Sequence, residues 1–478
     1  MTVPPQTKVA IAGGGLAGLA AACALSDAGF QVTLYEKRPF LGGRASSYEH
    51  PGTGEVVDNC QHVLFRVCTN LVEFYERIGV ANQIRWFDQM NFIEPGGKIS
   101  VMKSSFLPAP LHTAPSFFGF SFLSAADKLA ITRALVPLTL RKQRDDGRPF
   151  QEWLAEHGQT KTAVARFWRP ILVSALSEEL ERISISAAAQ VVRESMKSPL
   201  ARHMGVPMVP LTDLYNAAGD YVRARGGEIH FRCPLEGFAP GKSGVRVRVA
   251  DSEPSFDYLI AALPFDALAR VLPEAPESLE LREKISHFEN SPITGIHLWF
   301  DRQISDLDHA VLLDRTIQWM FHKSRLQPMR TEAPALANGA RVGHSQLGNG
   351  SYVELVVSSS KTLIEKSRGE IVDLALAEVR EFFSEAREAN LVKSTVIKEV
   401  NATYSPRPGI DAHRPGAATA WPRVFLAGDW TATGWPATME GAVRSGYMAA
   451  EALSRNAGRA ASYISPDIAA TGLMRLFG

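Results

Sequence analysis

The sequence predicts an α/β fold with a discontinuous first domain and a second domain of helices on a mixed β-sheet. A short apolar strand (8–12) runs through a glycine-rich turn into a helix near the start of the chain. A second apolar strand ends in Gly428-Asp429 before a helix near the end, and strand-like and helix-like stretches alternate between the two. We expect residues 1–98, 203–268 and 396–458 to form the first domain, residues 99–202 and 269–395 the second, and residues 459–478 a tail. The sequence also predicts a helix at 214–225, strands at 295–300 and 351–357, and a loop at 335–350.

Composition limits the possible function classes. A chain of 478 residues is long enough for two or three domains, and 45% hydrophobic with 21% charged residues is typical of a folded globular protein. The net charge of +1 excludes the electrostatic footprint of a nucleic-acid-binding protein. The four cysteines form no CxxC pair, and no His/Cys cluster has metal-ligand spacing. We therefore expect reduced thiols in a cytoplasmic protein and no metal site.

The apolar stretches of the sequence are short. Residues 1–7 contain no hydrophobic segment of signal-peptide length, and no stretch offers the about 18 to 20 apolar residues that a membrane-spanning helix needs. We expect neither a signal peptide nor a transmembrane helix. Contact with a membrane surface stays open.

The glycine-rich turn has the spacing GxGxxG at Gly13, Gly15 and Gly18. Gly13 permits a tight turn, Gly15 lets the backbone approach a pyrophosphate, and Gly18 lets the helix pack closely on the strand. The first amides of the helix, at Leu16 and Ala17, favour a phosphate. These features predict a Rossmann-like dinucleotide-binding domain.

An acidic residue follows the next predicted strand (31–35). Glu36 stands about 20 positions after the glycines, where a carboxylate accepts hydrogen bonds from an adenosine ribose. We place Lys37 beside it in the site. The acid alone does not separate NAD from FAD, but no second GxGxxG is present to form a dedicated NAD(P)H domain.

The run Gly42-Gly43-Arg44-Ala45-Ser46 distinguishes between NAD and FAD as the cofactor. It resembles the segment that continues the dinucleotide site in flavoproteins of the monoamine oxidase and phytoene desaturase superfamily. The resemblance implies FAD as the cofactor, with Gly43 in the site and Arg44 on the diphosphate. A guanidinium there forms charge-assisted hydrogen bonds with the phosphate oxygens.

The C-terminal strand and helix resemble the second FAD motif of the same superfamily. By that resemblance, Gly428-Asp429 contacts the ribityl or pyrophosphate region. The amides around Thr438 and Met439 point at the flavin N1–O2 edge, where a helix N-terminus stabilises the negative charge of a reduced flavin. A middle segment brings the backbone near Leu235 to the adenine.

Several stretches are more specific than the FAD motifs. They are 57–64 (VDNCQHVL), 68–71 (CTNL), 74–79 (FYERIG), 86–88 (WFD), 92–97 (FIEPGG), 106–112 (FLPAPLH), 125–129 (AADKL) and 294–302 (TGIHLWFDR). They resemble the squalene-associated FAD-dependent desaturases, whose assigned activity is hydroxysqualene dehydroxylation. The family implies a reductive step of squalene and hopanoid synthesis, in which hydroxysqualene loses its allylic hydroxyl and gains hydride to give squalene.

That reaction requires a general acid to protonate the departing hydroxyl. His62 and Asp58 are the candidates, because both follow the first FAD segment, where the family's chain approaches the flavin. Asp88 and His297 are weaker candidates. Two other roles stay open: Asp58 and Asn59 as caps of a helix that starts beside them, and His62 as a core histidine.

The segment 106–123 is rich in phenylalanine and leucine and is interrupted by three prolines. Because a polyprenoid partitions into the bilayer, we expect a membrane-facing substrate entrance here, on a protein bound peripherally to the inner face of the cell membrane. A capping box at Ser124 and Asp127 starts a helix that leads to basic residues at 141–148, which suit the bilayer interface. Alternatively, the segment fills the core and the basic residues form a solvated face. The tail at 473–477 is a second anchor or a disordered end.

Three other functions stay open. An oxidative carotenoid, phytoene or squalene desaturase uses the same flavin geometry with hydride moving the other way. An FAD-dependent amine oxidase should have paired aromatic residues before the last helix, and Trp430 and Trp435 flank that loop. A non-catalytic prenyl-binding protein of this fold should lack the intact motifs that this chain carries. A reductive enzyme also needs an electron donor, which no motif identifies.

Overall fold

The computed structural model of the protein describes residues 6–327 and 350–477. The predicted loop at 335–350 lies outside the described residues except for Gly350. The helices are α1 (Leu16–Asp27), α2 (Thr69–Arg77), α3 (Ala114–Gly119), α4 (Ala125–Leu140), α5 (Phe150–Glu156), α6 (Lys161–Ala163), α7 (Arg169–Leu176), α8 (Ile185–Met196), α9 (Leu211–Arg223), α10 (Phe265–Val271), α11 (Leu279–Ser286), α12 (Lys323–Leu326), α13 (Arg368–Phe382) and α14 (Met439–Asn456). The strands are β1 (Lys8–Ala12), β2 (Gln31–Glu36), β3 (Ser47–Glu49), β4 (Val56–Asp58), β5 (Leu64–Phe65), β6 (Ile84–Phe87), β7 (Gln89–Ile93), β8 (Ile99–Lys103), β9 (Met204–Pro207), β10 (Glu228–Phe231), β11 (Leu235–Pro240), β12 (Val245–Val249), β13 (Ser255–Phe256), β14 (Tyr258–Ala261), β15 (Asn290–Phe300), β16 (His309–Leu312), β17 (Trp319–His322), β18 (Ser351–Ser358), β19 (Leu391–Tyr404) and β20 (Val424–Leu426).

A parallel sheet forms the nucleotide-binding half. Within the described residues it has five strands in the order β10-β2-β1-β14-β20. Side chains from α1, α9 and α14 pack on one face, and β11–β13 with α10 and α11 pack on the other. The carboxyl ends of β1, β2, β14 and β20 therefore meet at one edge, which is where ligands bind in open α/β sheets. The predicted Rossmann-like α/β fold is confirmed.

A second, mixed sheet forms the centre of the other half of the molecule, which corresponds to the predicted second domain. Within residues 6–327 and 350–477 it has seven strands in the order β19-β15-β18-β17-β16-β7-β8, antiparallel except at β16–β7. The strands expected at 295–300 and 351–357 are confirmed as parts of β15 and β18. α13 covers one face through alternate residues of both strands. β7 and most of β19, which the sequence analysis assigned to the first domain, pair in this sheet.

The aromatic segment 106–123 divides into a buried and an exposed part. Its second half is in the helical core with α4, α5, α7 and α8, through Phe117, Phe120, Phe122 and Leu123. Phe106 is 98% exposed and Leu111 and Phe118 about half exposed. The predicted capping box at Ser124 and Asp127 is confirmed. The core alternative therefore holds for the second half of the segment, and the membrane-facing entrance stays a prediction for the exposed part.

Several predicted boundaries shift. The helix expected at 214–225 starts at Leu211, directly after Pro210, and the last helix extends from Met439 to Asn456. The suggested helix beside Asp58 and Asn59 is wrong, because residues 59–63 are irregular and lead into β5. Among the residues that the structure describes, no helix is both long and apolar enough to cross a bilayer.

Candidate active site

The turn between β1 and α1 is shaped for a phosphate group. Gly13 has a φ of +108°, and a Cβ on Gly18 would lie 1.9 Å from the Gly13 carbonyl oxygen. Gly15 caps α1 without a side-chain hydrogen bond, and the first turn contains no acid. The amides of Leu16 and Ala17 consequently have no partner within the helix. These donors and the helix dipole favour an anion at this point.

Glu36 closes the turn from the end of β2. Its buried carboxylate accepts hydrogen bonds from the Gly14 amide at 2.6 Å and the Arg38 amide at 2.7 Å. Lone pairs remain on both oxygens for ribose hydroxyls. The Arg38 guanidinium donates to the Gly43 carbonyl at 2.8 Å, a contact that the sequence analysis missed, whereas Lys37 is exposed.

The Gly42-Gly43 pair lies directly against Gly15. A backbone bridge joins Gly15 to Gly42, and a Cβ on Gly43 would lie 2.9 Å from the Gly15 Cα. Both glycines of the pair have positive φ angles, of +102° and +60°. A Cβ on Gly15 itself would meet only the Gly43 Cα, at 3.8 Å. The turn therefore keeps open space in which a pyrophosphate can approach the backbone.

The segment before β11 lies beside Glu36. The Cys233 amide donates to the Glu36 carbonyl at 2.9 Å, and Leu235 begins β11 two residues later. The Leu235 side chain is buried with Tyr35 and Phe256. The backbone is therefore near the ribose end of the site, and its contact with the adenine stays a prediction.

Arg44 and Asp429 join the first and last motifs. The Arg44 Nη2 lies 2.5 Å from the Asp429 Oδ1, and its Nη1 donates to the Ala402 carbonyl at 3.0 Å. The Asp429 side chain is 6% exposed and the Arg44 side chain 31%. A guanidinium has five N–H donors, so Arg44 retains donors for a diphosphate while it neutralises Asp429.

The start of α14 presents backbone amides at the same edge. Gly428 follows β20 with a φ of +148°, and its amide donates to the Ser445 hydroxyl at 2.8 Å. The Thr438 hydroxyl caps α14 by accepting from the Gly441 amide at 3.1 Å. The Met439 amide is among the first-turn donors that have no partner within the helix. These groups fit the predicted flavin edge.

Glu440 has a role that the sequence analysis missed. Its buried carboxylate accepts from the Leu71 amide at 2.8 Å and the Asn70 amide at 3.2 Å, at the start of α2. The Arg444 guanidinium pairs with it at 2.6 Å. Glu440 therefore caps α2 with negative charge and fixes that helix to α14.

Arg414 forms hydrogen bonds with the loop that follows β20. One guanidinium nitrogen lies within hydrogen-bond distance of the carbonyls of Asp429 (3.1 Å), Thr431 (2.5 Å) and Trp435 (2.6 Å). Its side chain is 6% exposed. These contacts hold the loop between Asp429 and α14 in one shape.

The predicted acid Asp58 is part of a buried ion pair. Its carboxylate lies 2.5 Å from the Lys323 Nζ and accepts from the Ser47 hydroxyl at 2.5 Å and the Leu211 amide at 3.1 Å. Burial raises the pKa of Asp58, but Lys323 and these hydrogen bonds outweigh it and leave the pKa below its ordinary value. An ionised carboxylate in such a pair is a poor proton donor.

The other candidates for the general acid, His62, His297 and Asp88, lie in different surroundings. The His62 Nδ1 donates to the Cys60 carbonyl at 2.7 Å, and burial lowers the His62 pKa, which favours a neutral ring. His297 is buried against the Tyr352 hydroxyl, and burial lowers its pKa to about 3. Asp88 is exposed between β6 and β7. The acid role of His62 and Asp58 stays a prediction that these pKa directions do not favour.

Glu354 is the ionisable group that the sequence analysis overlooked. It lies in β18, fully buried, 3.4 Å from the Lys323 Nζ. Burial raises the pKa of its carboxyl to about 8. The sequence could have indicated Glu354, because it is the single acidic residue in the strand 351–358 (SYVELVVS), all of whose residues are buried.

Apolar side chains adjoin these polar groups. Val63, Phe65, Phe87, Ile293 and Trp319 are partly exposed and pack on one buried cluster, and Phe65 also packs on the cluster that contains Trp435. Trp430 belongs to another cluster, where its indole donates to the Leu263 carbonyl at 2.9 Å. Trp430 and Trp435 therefore do not form the facing aromatic pair expected of an amine oxidase.

One surface cluster has metal-ligand spacing that the linear sequence does not show. Glu283, His287 and His413 place one ligand atom each within 4.8 Å of one another, among the residues described. All three are exposed or half-exposed, and Glu283 in α11 forms an i,i+4 pair with His287, the residue that follows this helix. No cofactor-site residue belongs to this cluster.

Comparisons with known proteins agree with this geometry. The family model described as flavin containing amine oxidoreductase matches residues 16–454. Among curated proteins, the chain is 28% identical to a probable zeta-carotene desaturase of Synechococcus elongatus over 93% of this chain and 98% of the relative. It is 27% identical to a 15-cis-phytoene desaturase of the same organism, over 93% of this chain and 95% of the relative.

Solved structures share the fold. An oxidoreductase from Methanosarcina mazei has a TM-score of 0.69 at 17% identity, covering 92% of this chain and 98% of that one. Cyclohexylamine oxidase from Brevibacterium oxydans has a TM-score of 0.65 at 17% identity, covering 95% of this chain and 100% of that one.

Proposed function

The chain belongs to the flavin containing amine oxidoreductase family, and from that premise we propose that it transfers hydride between FAD and an allylic carbon of a polyprenoid. The predicted FAD cofactor is confirmed by the family and fits the open turn at Gly15 and the free amides of α1. The chain is thus an FAD-dependent oxidoreductase. The observation that carries the choice of substrate is the partly exposed apolar surface at Phe65, Phe87 and Trp319.

The protein's own residues hold and shield the reactants in this proposal. Arg44 and the α1 amides would hold the diphosphate, Glu36 the ribose, and the amides at Thr438 and Met439 the flavin ring. When bound, FAD supplies a hydride donor or acceptor. The apolar surface orients the hydrocarbon chain and excludes water that would capture an allylic cation.

The finer proposal is reductive dehydroxylation of hydroxysqualene. The C–O bond of the allylic alcohol breaks, the oxygen leaves as water after protonation, and hydride takes its place to give squalene. The stretches at 57–64, 86–88, 92–97 and 294–302 support it through their resemblance to the squalene-associated family. Glu354, whose pKa is raised by burial, and His62, whose pKa is lowered by burial, are two buried groups that could carry a proton, and neither is assigned to the step.

Oxidative desaturation is the second candidate, and the comparisons support it more directly. The zeta-carotene and phytoene desaturases match over nearly the full length of this chain. In that reaction, hydride leaves an allylic C–H bond of the substrate and a proton is lost from the neighbouring carbon. The same apolar surface serves both directions.

One anaerobic experiment separates the two directions. The chemically reduced protein is mixed with hydroxysqualene, and the oxidised protein with phytoene, zeta-carotene or squalene, while flavin absorbance and products are followed. Squalene formed together with flavin reoxidation supports dehydroxylation. A desaturated product together with flavin reduction contradicts dehydroxylation and supports the second candidate. A protein that retains no flavin and turns over neither substrate contradicts both.

We also propose that the protein binds the inner face of the cell membrane through one apolar surface. The tail is attached beside the 106–111 loop, since the Leu473 amide donates to the Ala109 carbonyl at 2.8 Å. Phe106 is 98% exposed and Leu476 77%. Arg202 is half-buried two residues after Leu200 and has no acidic partner among the described residues, so its guanidinium suits an anionic headgroup. The surface comprises Phe106, Leu111, Leu200, Leu473, Leu476 and Phe477.

The double variant Phe106→Ser/Leu476→Ser is expected to weaken binding to anionic liposomes by at least a hundredfold. Burial of each such side chain contributes about 1.5 to 3 kcal/mol, and about 1.4 kcal/mol corresponds to tenfold in affinity. Liposome co-sedimentation measures the change. Leu279→Ser is the matched control, because Leu279 is 66% exposed on α11, outside this surface. Equal binding by the double variant and the wild type contradicts the proposed surface.

A further inference from the structure

Three ionisable side chains, from β4, α12 and β18, meet in the interior. The Lys323 Nζ lies 2.5 Å from Asp58 and 3.4 Å from Glu354, and the three side chains are 1%, 2% and 0% exposed respectively. Lys323 also donates to the Gln61 side-chain oxygen at 2.8 Å. One ammonium group thus faces two carboxyl groups in a site that water does not reach.

The charges of this triad balance only if one carboxyl group is protonated. Asp58 holds the short contact with Lys323 and two further hydrogen bonds. The Glu354 carboxyl contacts the same ammonium group at 3.4 Å, without hydrogen-bond geometry. A buried carboxylate with so little compensation is strongly disfavoured. Burial raises the pKa of Glu354 to about 8, Lys323 opposes this and Asp58 adds to it. Glu354 is therefore the neutral member near pH 7.

The other titratable groups around Glu354 are uncharged near neutral pH. His297 is its direct partner across β15 and β18, and burial lowers the His297 pKa to about 3. Burial raises the pKa values of the Cys60 thiol and the Tyr352 hydroxyl well above their ordinary ranges. Among the residues described, Lys323 is thus the positive charge that acts on the Glu354 carboxyl.

The triad is connected to the cofactor loop through the backbone. Asn59 follows Asp58, and its side chain donates to the Arg44 carbonyl at 2.7 Å and accepts from the Ser46 amide at 3.2 Å. The Asn59 amide donates to the Ser46 carbonyl at 2.9 Å. Lys323 and Glu354, in contrast, belong to α12 and the seven-stranded sheet. The triad therefore fixes the loop that carries Arg44 to the opposite half of the molecule.

We propose that Asp58, Lys323 and Glu354 are positioning residues for FAD, held with Glu354 protonated, and that loss of this proton weakens FAD binding at alkaline pH. A second carboxylate would compete with Asp58 for Lys323 and place net negative charge behind a loop that binds a diphosphate. The inference rests on the flavin site and is independent of the substrate proposed above.

The sign of the pH dependence follows from the raised pKa. Below the ordinary carboxyl range, Glu354 is neutral in both the folded and unfolded states. As pH rises from there to about 8, only the unfolded state loses the proton, so the stability contributed by this group falls continuously. Above about pH 8 the folded protein loses it too. In this proposal the loop that carries Arg44 then loses the contact that positions it.

The test is FAD affinity as a function of pH, measured on apoprotein by quenching of FAD fluorescence. The wild-type Kd is expected to rise at least tenfold between pH 7 and pH 9.5, with a midpoint near pH 8. Glu354→Gln, which cannot ionise, should reduce that rise to less than twofold. Glu388→Gln is the matched control on the surface, at 85% exposure, and should keep the wild-type rise. An alkaline rise that persists in Glu354→Gln overturns the proposal.

A charge-balanced double variant tests the positioning role. Lys323→Met leaves Asp58 unpaired and should raise the Kd for FAD at least tenfold at pH 7. Lys323→Met/Asp58→Asn removes both charges and should recover most of that affinity, which simple loss of packing would not. Wild-type affinity in Lys323→Met, or no recovery in the double variant, contradicts the role. If Lys323→Met does not fold, the Glu354→Gln profile decides alone.

Discussion

Arg44→Ala is expected to lower the affinity of the protein for FAD by ten- to a hundredfold. Hydrogen bonds to charged groups contribute about 1.5 to 3 kcal/mol, and about 1.4 kcal/mol is tenfold in affinity. The variant removes the predicted diphosphate contact and also leaves Asp429, 6% exposed, without its ion-pair partner. An unpaired carboxylate beside an anionic cofactor adds to the loss. FAD titration of apoprotein and the flavin-to-protein absorbance ratio measure it.

Two companion variants separate cofactor binding from folding. Arg44→Lys keeps the charge but not the planar fork, so it should bind FAD with intermediate affinity. Arg302→Ala, at a half-exposed arginine in the turn after β15, should retain wild-type flavin content. Full flavin occupancy in Arg44→Ala would show that the Gly42-Gly43-Arg44 run does not contact the cofactor.

Gly446→Ala is expected to destabilise the protein by about 3 kcal/mol, the upper end of the about 1 to 3 kcal/mol that overpacking of an interior typically costs. A Cβ on Gly446 would lie 2.2 Å from the Ala17 carbonyl oxygen and 3.1 Å from the Ala20 Cβ. The Ala17 carbonyl oxygen belongs to the backbone of α1, so it cannot rotate away as a side chain could. The variant would force α14 from α1 and move the two FAD motifs apart, so flavin content should fall with stability.

A second helical glycine supplies the control. A Cβ on Gly369 in α13 would have nothing within 4 Å among the described residues, so Gly369→Ala should be neutral or stabilising by about 0.5 to 1 kcal/mol. Urea unfolding of both variants measures the difference in free energy. A Gly446→Ala protein with wild-type stability and flavin content would mean that the two helices can separate without disturbing the site.

Local motifs were predictable because their contacts are short in sequence. Gly13, Gly15 and Gly18 act on a turn of six residues, and Glu36 closes it from the next strand. The capping box at Ser124 and Asp127 spans a single helical turn. In each case the spacing itself sets the geometry, so the residue types reveal the structure.

The sequence could not show which residues of the aromatic segment 106–123 are buried. Hydrophobicity alone could not divide 106–123, because a phenylalanine that fills a core and one that faces outward are the same residue type. The division follows from the helices α4, α5, α7 and α8, which cover Phe117 and Phe120 but not Phe106.

The chain by itself determined the fold class and the residues that shape the phosphate turn, because those depend on backbone conformation within short stretches. The choice of FAD came from the resemblance of the Gly42-Gly43-Arg44 run to a known superfamily. Only the tertiary structure decided which charges meet. The partners of Arg44, Asp58 and Glu440 are 385, 265 and 370 residues away in the sequence. A buried charge must find an opposite charge or a proton wherever the fold brings one within reach, and no local spacing encodes that choice.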